Sequence, residues 1–475
     1  MKSINTIRFS GRDVLPLIEG GKGVSVSTGI SAGHWAAAGG IGTISAVNAD
    51  SYDQEGNLIA QVYHGRTRRD KQEELIRYAI DGGIAQARIA HEIAGGRGRI
   101  HANFMWEMGA AEQVITGILE GAPGLIQGLT CGAGMPYRLS EIAARFGVHY
   151  YPIVSSARAF NALWRRSYSR TAELLGGVVY EDPWRAGGHN GLSNTEDPLK
   201  PEQPYHRVVE LRKVMNRYGL DHVPIIMAGG VWHLEEWSDW LDNPDIGLIA
   251  FQFGTRPLLT QESPIPLAWK KRLMTLKKGD VFLNRFSPTG FYSSAVNNSF
   301  LQELRERSER QVAYRRSEED EFNVSHHVGV RRRQVFLRGE DQQRVLQWEQ
   351  AGFSEALRTP DETLIFVTPE QARQILKDQA SCMGCLSQCR FSNWSQKGPT
   401  YTTGQPADPR SFCIQKTLQE ISHVGEVDEA EGERIVDHNL IFGGTSAWRF
   451  REDPFYANGY VPTVKELVDR IMIGK

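Results

Sequence analysis

Short apolar runs alternate with longer amphipathic segments between residues 14 and 256. Each run has the length of a β-strand, is rich in Val, Ile or aromatic residues, and several end in Gly, Ser or Thr. The runs are VLPLIEGG (14–21), IGTISAV (41–47), RIHANFM (99–105), GLIQGLT (124–130), YYPIVS (150–155), GGVVYED (176–182), VPIIMAGG (223–230) and LIAFQFGT (248–255). Segments with helical periodicity, such as 70–96 and 158–175, lie between most of them.

Continuously apolar strands that alternate with helices predict a parallel sheet covered by helices, and therefore an α/β fold. Eight such repeats favour a closed (β/α)8 TIM barrel over an open, doubly wound sheet. The chain has 475 residues, which is enough for one large domain and a smaller one. We expect the barrel in residues 1–300 and an α-rich, cysteine-containing extension in residues 301–475.

Glycines follow the last two runs of the predicted barrel. Gly229 and Gly230 follow the seventh strand, and Gly254 and Thr255 follow the eighth. The carboxyl ends of barrel strands form the active face, and glycine lets backbone N–H groups approach a phosphate because it has no Cβ. These residues predict a phosphate site, although the glycines could also do no more than turn the chain.

Composition restricts the class of partner. The 54 basic and 56 acidic residues give a formal net charge of −2, which argues against a protein that coats nucleic acid or an anionic membrane. No segment approaches the roughly 20 apolar residues of a membrane span, and the amino terminus lacks an apolar signal-peptide stretch. We therefore expect a cytoplasmic enzyme with a small-molecule substrate, and leave open a homo-oligomer.

Seven motifs, taken in order, resemble the nitronate monooxygenase family, formerly called 2-nitropropane dioxygenases and similar to flavin-dependent enoyl-acyl carrier protein reductases. They are EGGKGVSVS (19–27), AAAGGIGTIS (36–45), HANF (101–104), CGAGMP (131–136), AGGHNG (186–191), PIIMAGGV (224–231) and FGTRPLLTQES (253–263). The resemblance covers about residues 13–300, including SPTG at 287–290. It implies a (β/α)8 barrel that binds FMN.

The resemblance also implies which residues bind FMN and which residue reacts. The implied FMN-binding residues are Gly21, Lys22, Gly23, Asn103, Gly187, Gly188, Ala228, Gly229, Gly230, Phe253, Gly254 and Thr255. His189, in the AGGH motif, would be the catalytic base or a substrate-orienting group. Imidazole titrates near neutral pH and can take a proton from a carbon acid, which agrees with that role. A loop histidine hydrogen-bonded to the backbone is the alternative.

Three residues depart from the family pattern and are candidates for the substrate pocket. EDPWR precedes the AGGH motif and brings in Trp184 and Arg185. Cys131 is either an ordinary buried thiol or a reactive group that faces the flavin. The substrate therefore does not follow from the resemblance.

Three functions stay open at this point. The first is an FMN-dependent oxidoreductase of the nitronate monooxygenase type, acting on a small carbanion-forming substrate. The second is a flavin-dependent reductase of an activated C=C bond, with electrons from NAD(P)H or from a ferredoxin-like protein. The third is a non-catalytic zinc-containing scaffold or an RNA-associated protein, although Arg331, Arg332 and Arg333 have no aromatic platform beside them.

The last third of the chain carries a second pattern. TPDETLIFVTPEQARQIL (359–376) predicts a strand that leads through Thr368, as N-cap, into a helix. Beyond it, Cys382, Cys385, Cys389 and Cys413 have the spacing C-x2-C-x3-C-x23-C. Structural disulfides are rare in the cytoplasm, so this spacing predicts a metal site. A [4Fe-4S] cluster suits three close thiolates and a distant fourth; zinc and metal-free thiols are the alternatives.

Overall fold

The chain forms a parallel β-barrel with surrounding helices and small antiparallel sheets, seen in a computed structural model that describes residues 4–394, 404, 406–425 and 427–475. In chain order the strands are β1 (Ile7–Phe9), β2 (Arg12–Val14), β3 (Leu17–Glu19), β4 (Ile41–Ser45), β5 (Arg99–Met105), β6 (Gly128–Gly132), β7 (His149–Val154), β8 (Val178–Glu181), β9 (Gly188–His189), β10 (Ile225–Ala228), β11 (Ile249–Phe253), β12 (Val281–Asn284), β13 (Ser293–Val296), β14 (Gln311–Ala313), β15 (Val324–Val328), β16 (Arg333–Leu337), β17 (Glu355–Arg358) and β18 (Thr363–Val367).

The α-helices follow the same order. They are α1 (Gly29–Ala37), α2 (Arg68–Ala94), α3 (Ala111–Gly121), α4 (Leu139–Phe146), α5 (Ala157–Arg166), α6 (Pro204–Arg217), α7 (Leu267–Thr275), α8 (Ser299–Glu309), α9 (Gly339–Gln350), α10 (Pro369–Ala380), α11 (Ile414–Ser422), α12 (Glu429–Asp437), α13 (Arg449–Glu452) and α14 (Val464–Met472). Among these described helices, none is both long and apolar enough to cross a bilayer.

The predicted (β/α)8 barrel is confirmed. Each of the eight apolar runs contains one barrel strand, and the order around the barrel is β3-β4-β5-β6-β7-β8-β10-β11. The barrel closes through parallel pairing of β11 with β3, in which Phe251 lies opposite Leu17. Apolar side chains on one side of the strands fill the interior, and those on the other side pack against the helices. The strands are therefore mainly apolar on both faces, with a few buried polar residues such as Thr43, His101 and Thr130.

A hairpin formed by β1 and β2 closes the amino end of the barrel. Phe9 and Val14 join the apolar cluster in the barrel interior, which also contains Tyr151. The Ser10 hydroxyl lies 2.7 Å from the Tyr151 hydroxyl and 3.2 Å from Nε2 of His101. Because this end is filled, the opposite end, at the carboxyl termini of the strands, is left for a ligand.

Two of the predicted helices begin with a capping box, and for one of them the N-cap, Thr368, is the residue predicted. Thr67 and Asp70 form a capping box at the start of α2, which ends at Gly95 in the left-handed conformation. Thr368 is the N-cap of α10 and forms a capping box with Gln371, directly after β18. The strand-to-helix prediction for residues 359–376 is therefore confirmed, as is the long helix predicted for residues 70–96, within two residues at each end.

Helices predominate beyond residue 300, but the prediction of an α-rich extension omitted two small antiparallel sheets. These are the sheet β14-β18-β17 and the hairpin β15-β16. Most of these strands lie among charged residues and carry only three to five residues, so their sequence periodicity is weak. The segment also returns to the barrel, because Val464, Leu467 and Ile471 of α14 belong to the core cluster that covers the barrel strands. The boundary at residue 300 stays a prediction.

Candidate active site

A large cavity opens at the carboxyl end of the barrel. It encloses about 1420 Å³ of atom-free space, part of which is open to solvent. Most of the predicted site residues line it: Gly21, Lys22, Gly23, Asn103, Arg185, Gly187, Gly188, His189, Ala228, Gly229, Gly230, Gly254 and Thr255. Segments far apart in the sequence therefore meet at one cavity, as the carboxyl ends of barrel strands do.

Three predicted residues do not line this cavity, and their placement corrects the sequence interpretation. Cys131 is fully buried in the core between strands and helices, where burial raises the pKa of its thiol and makes it unreactive. The Trp184 indole turns away and donates its Nε1–H to the carbonyl oxygen of Asp197 at 3.0 Å. Phe253 packs its ring against Trp35, with centroids 6.2 Å apart. Alternation along β6 and β11 directs the side chains of Cys131 and Phe253 away from the cavity, whereas Trp184 lies in the turn after β8; the sequence did not reveal these directions.

His189 lies in the short strand β9, which pairs with β13 so that His189 is opposite Ser293. Its Nε2 is 2.5 Å from Oγ of Ser287, the first residue of the SPTG motif. The ring of Phe442 meets the imidazole edge-on, with centroids 5.3 Å apart. Removal from bulk water lowers the pKa of His189 to about 4, so the imidazole is neutral at neutral pH.

Glu181, at the end of β8, is also a titratable residue of the cavity wall. Its carboxyl group makes no hydrogen bond within the described residues. Burial, and after it the charge of Asp182, raises the pKa of Glu181 to about 8, so this carboxyl is protonated at neutral pH. The sequence analysis did not select Glu181, because nothing in the run GGVVYED distinguishes it from the neighbouring aspartate.

Asp182 organises the turn that leads to the AGGH motif. Its Oδ1 accepts hydrogen bonds from the backbone N–H groups of Trp184 and Arg185, at 3.0 and 3.1 Å. The guanidinium of Arg185 lies 3.9 Å from Oδ2 of Asp182, and the side chain is about one third exposed. Of the three residues predicted for the substrate pocket, Arg185 alone lines the cavity.

The glycines predicted to form a phosphate site have the required geometry. Gly229 and Gly230 have φ angles of +87° and +82°, a region in which other residues are strained. A Cβ on Gly230 would stand 2.8 Å from Cδ of Arg185, whereas the Cβ side of Gly254 faces open space. Two strand ends with accessible backbone N–H groups and one half-buried guanidinium form a suitable pocket for an anion.

The carboxyl-terminal segment supplies part of this pocket, which the sequence analysis missed. The backbone N–H of Gly444 donates to Oγ1 of Thr255 at 3.1 Å, and the N–H of Thr445 donates to the carbonyl of Arg185 at 3.2 Å. Phe442, Gly443, Gly444 and Ser446 also line the cavity. The glycine pair in FGGTS (442–446) was the available signal, but no periodic pattern connected it to a barrel more than 180 residues earlier.

The cavity fits a flavin. A Cβ on Gly21 would stand 2.4 Å from the Asn103 side chain, so only glycine lets the chain pass this close to an amide on the cavity wall. The hydroxyl of Ser45 and the Nε1–H of Trp269 belong to residues of the wall, are buried, and have no hydrogen-bond partner among the described residues. Lys22 is paired with Glu19, whose carboxylate also accepts from a serine. A planar ring with polar edges and a phosphate tail would satisfy these groups.

The four clustered cysteines lie beside this cavity, outside its lining. Cys382, Cys385 and Cys389 are in the loop after α10, and Cys413 is the N-cap of α11. All are free thiols. Within the part of the chain that the structure describes, no group of three or more His, Cys, Asp or Glu side chains is arranged to hold a metal ion. The predicted metal or iron–sulfur site is therefore not confirmed.

Comparison with known proteins relates the chain to one family. A family model for nitronate monooxygenase matches residues 131–365. No curated protein matches the chain. Many solved structures are similar to it, among them the following two. FabK from Thermotoga maritima has 15% sequence identity and a TM-score of 0.48, with 97% of this chain and 92% of that chain covered. Nitroalkane oxidase from Streptomyces ansochromogenes has 17% identity and a TM-score of 0.44, with 61% and 79% covered.

The family match agrees with the resemblance of the seven motifs and with the closed barrel. The resemblance to the nitronate monooxygenase family found in the sequence is thus confirmed over residues 131–365.

Proposed function

We propose that this protein is an FMN-dependent oxidoreductase that oxidises a small carbanion-forming substrate of the nitronate type, with His189 as the base or orienting group. The observation that carries the proposal is a neutral imidazole, fixed by Ser287, at the wall of a glycine-lined barrel cavity. Substrate and cofactor would share this cavity, which has room for both.

The FMN phosphate would bind the backbone N–H groups near Gly229, Gly230 and Gly254, and the ring would lie along residues 21–23 and Asn103. FMN, when bound, supplies the two-electron acceptor for the substrate. Arg185 would add a charge-assisted contact at the anionic end of the cofactor.

The hydrogen bond to Ser287 decides which nitrogen of His189 can react. When Nε2 donates its proton to Oγ of Ser287, the lone pair of Nδ1 is free to accept a proton from carbon or to orient the substrate. A pKa of about 4 keeps this lone pair available at any neutral pH. It also makes His189 a weak base, which suits a substrate whose C–H is already acidified by an electron-withdrawing group.

The charges of the wall favour an anionic substrate. The carboxyl group of Glu181 is neutral below a pH of about 8 and would donate a hydrogen bond to an oxyanion without repelling it. Arg185 contributes a positive charge. The carboxylate of Asp182, whose Oδ2 is 3.9 Å from the guanidinium, neutralises this charge only in part. A nitronate, which carries negative charge on its oxygens, is complementary to this combination.

Anaerobic reduction of the purified flavoprotein tests the proposal. A nitronate, NADH and NADPH are mixed with it separately, and bleaching of the visible flavin band is followed. The proposal predicts bleaching by the nitronate and reoxidation by O2. His189→Ala should retain flavin and slow bleaching by roughly 10². His222→Ala, a change at an exposed histidine, is the control and should have no effect.

Two outcomes contradict the proposal. Rapid bleaching by NADH or NADPH with none by any nitronate would assign the site to a reductase of an activated double bond. Purified protein that neither contains FMN nor takes it up would remove both enzyme functions.

A further inference from the structure

We infer that the substrate of this protein has an extended apolar tail, and that this tail binds one wall of the cavity next to His189. The identity of the reacting head group rests on the proposed function, whereas the binding of a tail does not. Three features support the assignment: the position of the apolar side chains, the way in which α11 presents two of them, and the position of the charges.

One side of the cavity is the surface of an apolar cluster that lies outside the barrel interior. Six residues belong both to this cluster and to the cavity lining, and we call them the apolar wall: Val24, Val47, Met105, Ile414, Leu418 and Phe442. They come from the loops after β3 and β4, the end of β5, helix α11 and the FGGTS segment. Since these distant segments pack together, the apolar wall is part of a packed core.

Helix α11 turns one face toward the cavity. Ile414 and Leu418 are four residues apart and therefore lie on the same face, one turn from each other. One turn further, the hydroxyl of Ser422 donates to the carbonyl of Val24 at 3.4 Å, which holds the end of α11 against another part of the apolar wall. Ile421 packs into a different apolar cluster and is not among the lining residues.

The apolar wall adjoins the residue proposed to react. Phe442, a member of the wall, meets the imidazole of His189 edge-on, with centroids 5.3 Å apart. Trp232 and Leu258, which follow the glycine-ended strands β10 and β11, line the cavity from a different cluster. The apolar wall therefore belongs to the His189 side of the cavity, and the phosphate glycines have apolar neighbours of their own.

The charges of the cavity lie outside the apolar wall. Among the described lining residues, the charged or titratable side chains are Lys22, Glu181, Arg185 and His189. Lys22 is paired with Glu19, and none of the four belongs to α11 or to residues 442–446. A polar substituent placed on the apolar wall would lose its hydrogen bonds to water without replacement, whereas an aliphatic or aromatic tail would be favoured there.

The cavity is large enough for a tail as well as a cofactor. Its atom-free space of about 1420 Å³ exceeds the roughly 300–1,000 Å³ of a pocket for one drug-sized ligand. Ile414 and Leu418 are about 6 Å apart along the helix axis, which is the length of about five methylene groups. A carbon acid with an anionic head beside His189 and a tail of about five or more carbons would use both parts of the cavity.

The test compares substrates that differ only in tail length. Nitronates of unbranched nitroalkanes, from nitroethane to 1-nitrodecane, are oxidised by the full-length flavoprotein, and kcat/KM is measured for each. Burial of each added methylene should raise kcat/KM by about fourfold until the apolar wall is covered. Unbranched carboxylates of the same lengths, which have an anionic head but are not oxidised, are titrated in a calorimeter. Their Kd should fall with tail length, and the heat-capacity change of binding should become more negative.

Variants of the apolar wall locate the effect. Leu418→Ala and Ile414→Ala should each lower the ratio of kcat/KM for long over short nitronates by roughly tenfold, because each removes apolar contact from the tail alone. Leu376→Ala, at a leucine of α10 that is 53% exposed, is the matched control and should keep the wild-type ratio. Ile421→Ala should lower the Tm and still keep the ratio, which separates loss of the wall from loosened packing of α11.

Three results would overturn the inference. The first is equal kcat/KM and equal Kd across the two series. The second is a dependence on tail length that neither Leu418→Ala nor Ile414→Ala reduces. The third is weaker FMN binding by Leu418→Ala with the tail-length ratio unchanged, which would assign the apolar wall to the cofactor.

The two series also separate this inference from the proposed function. Tail-dependent binding of carboxylates without oxidation of any nitronate would refute the proposed function and leave the tail site standing. Oxidation of nitronates at one rate for every tail length, with carboxylate binding equally insensitive, would do the reverse.

Discussion

The acid limb of the pH–rate profile should report the unusual environment of His189. Burial lowers the pKa of this imidazole from its ordinary value of 6.5 to about 4. At pH 5, an ordinary histidine would be neutral in about 3% of molecules, whereas His189 would be neutral in about 90%. The two cases differ by a factor of about 30 in the reactive form.

The lowered pKa of His189 moves the loss of activity to lower pH. Activity that needs the neutral imidazole is present above the folded-state pKa and is lost as the pH falls through it. Wild-type activity should therefore stay nearly constant from pH 7 to pH 5, where Glu181 is also neutral, and halve near pH 4. Steady-state oxidation of a nitroalkane, the carbon acid from which His189 would remove a proton, is measured as kcat/KM in overlapping buffers and gives the profile of the free enzyme and free substrate.

The result that would refute this reasoning is an acid limb with its midpoint near 6.5, since it would mean that water reaches the imidazole or that another group titrates. His189→Asn provides the discriminating variant, because it retains hydrogen bonding but cannot accept a proton. It should abolish the acid limb along with most of the activity. A folding control at each pH, by near-ultraviolet circular dichroism, separates titration from unfolding.

Three further predictions follow from the cavity wall. Glu181→Gln should raise the Tm at pH 9 and change it little at pH 5. The folded-state pKa of about 8 makes the wild type lose stability as the pH rises from 4.5 to 8. Equal shifts in Tm at both pH values would contradict this. Gly21→Ala should weaken FMN binding about tenfold in a fluorescence titration, since overpacking against Asn103 costs about 1–3 kcal/mol, and Gly339→Ala, at an unhindered glycine outside the cavity, is its control. Gly444→Val should also weaken FMN binding, because its Cβ would stand 2.7 Å from Oγ1 of Thr255; unchanged affinity would show that the carboxyl-terminal segment does not shape the cofactor site.

The sequence predicted the barrel well for a physical reason. A strand buried on both faces is mainly apolar, so each of the eight strands left a largely apolar run that could be recognised without its neighbours. The same regularity placed His189 and the glycines after strand ends on one face. The prediction was weaker for individual side chains such as Phe253 and Trp184, since one residue of displacement along a strand or turn exchanges the cavity side for the helix side.

Local pattern by itself determined the eight strands, the long capped helix α2, the glycine-bearing strand ends and the spacing of the four cysteines. These features depend on neighbours in sequence. Only the tertiary structure decided that Gly444 closes on Thr255, that Ser287 contacts the imidazole of His189, and that Cys413 joins Cys385 and Cys389 in one apolar cluster. Each of those contacts joins segments that are roughly 25 to 190 residues apart. Their formation depends on the packing of the whole chain, which no local periodicity records.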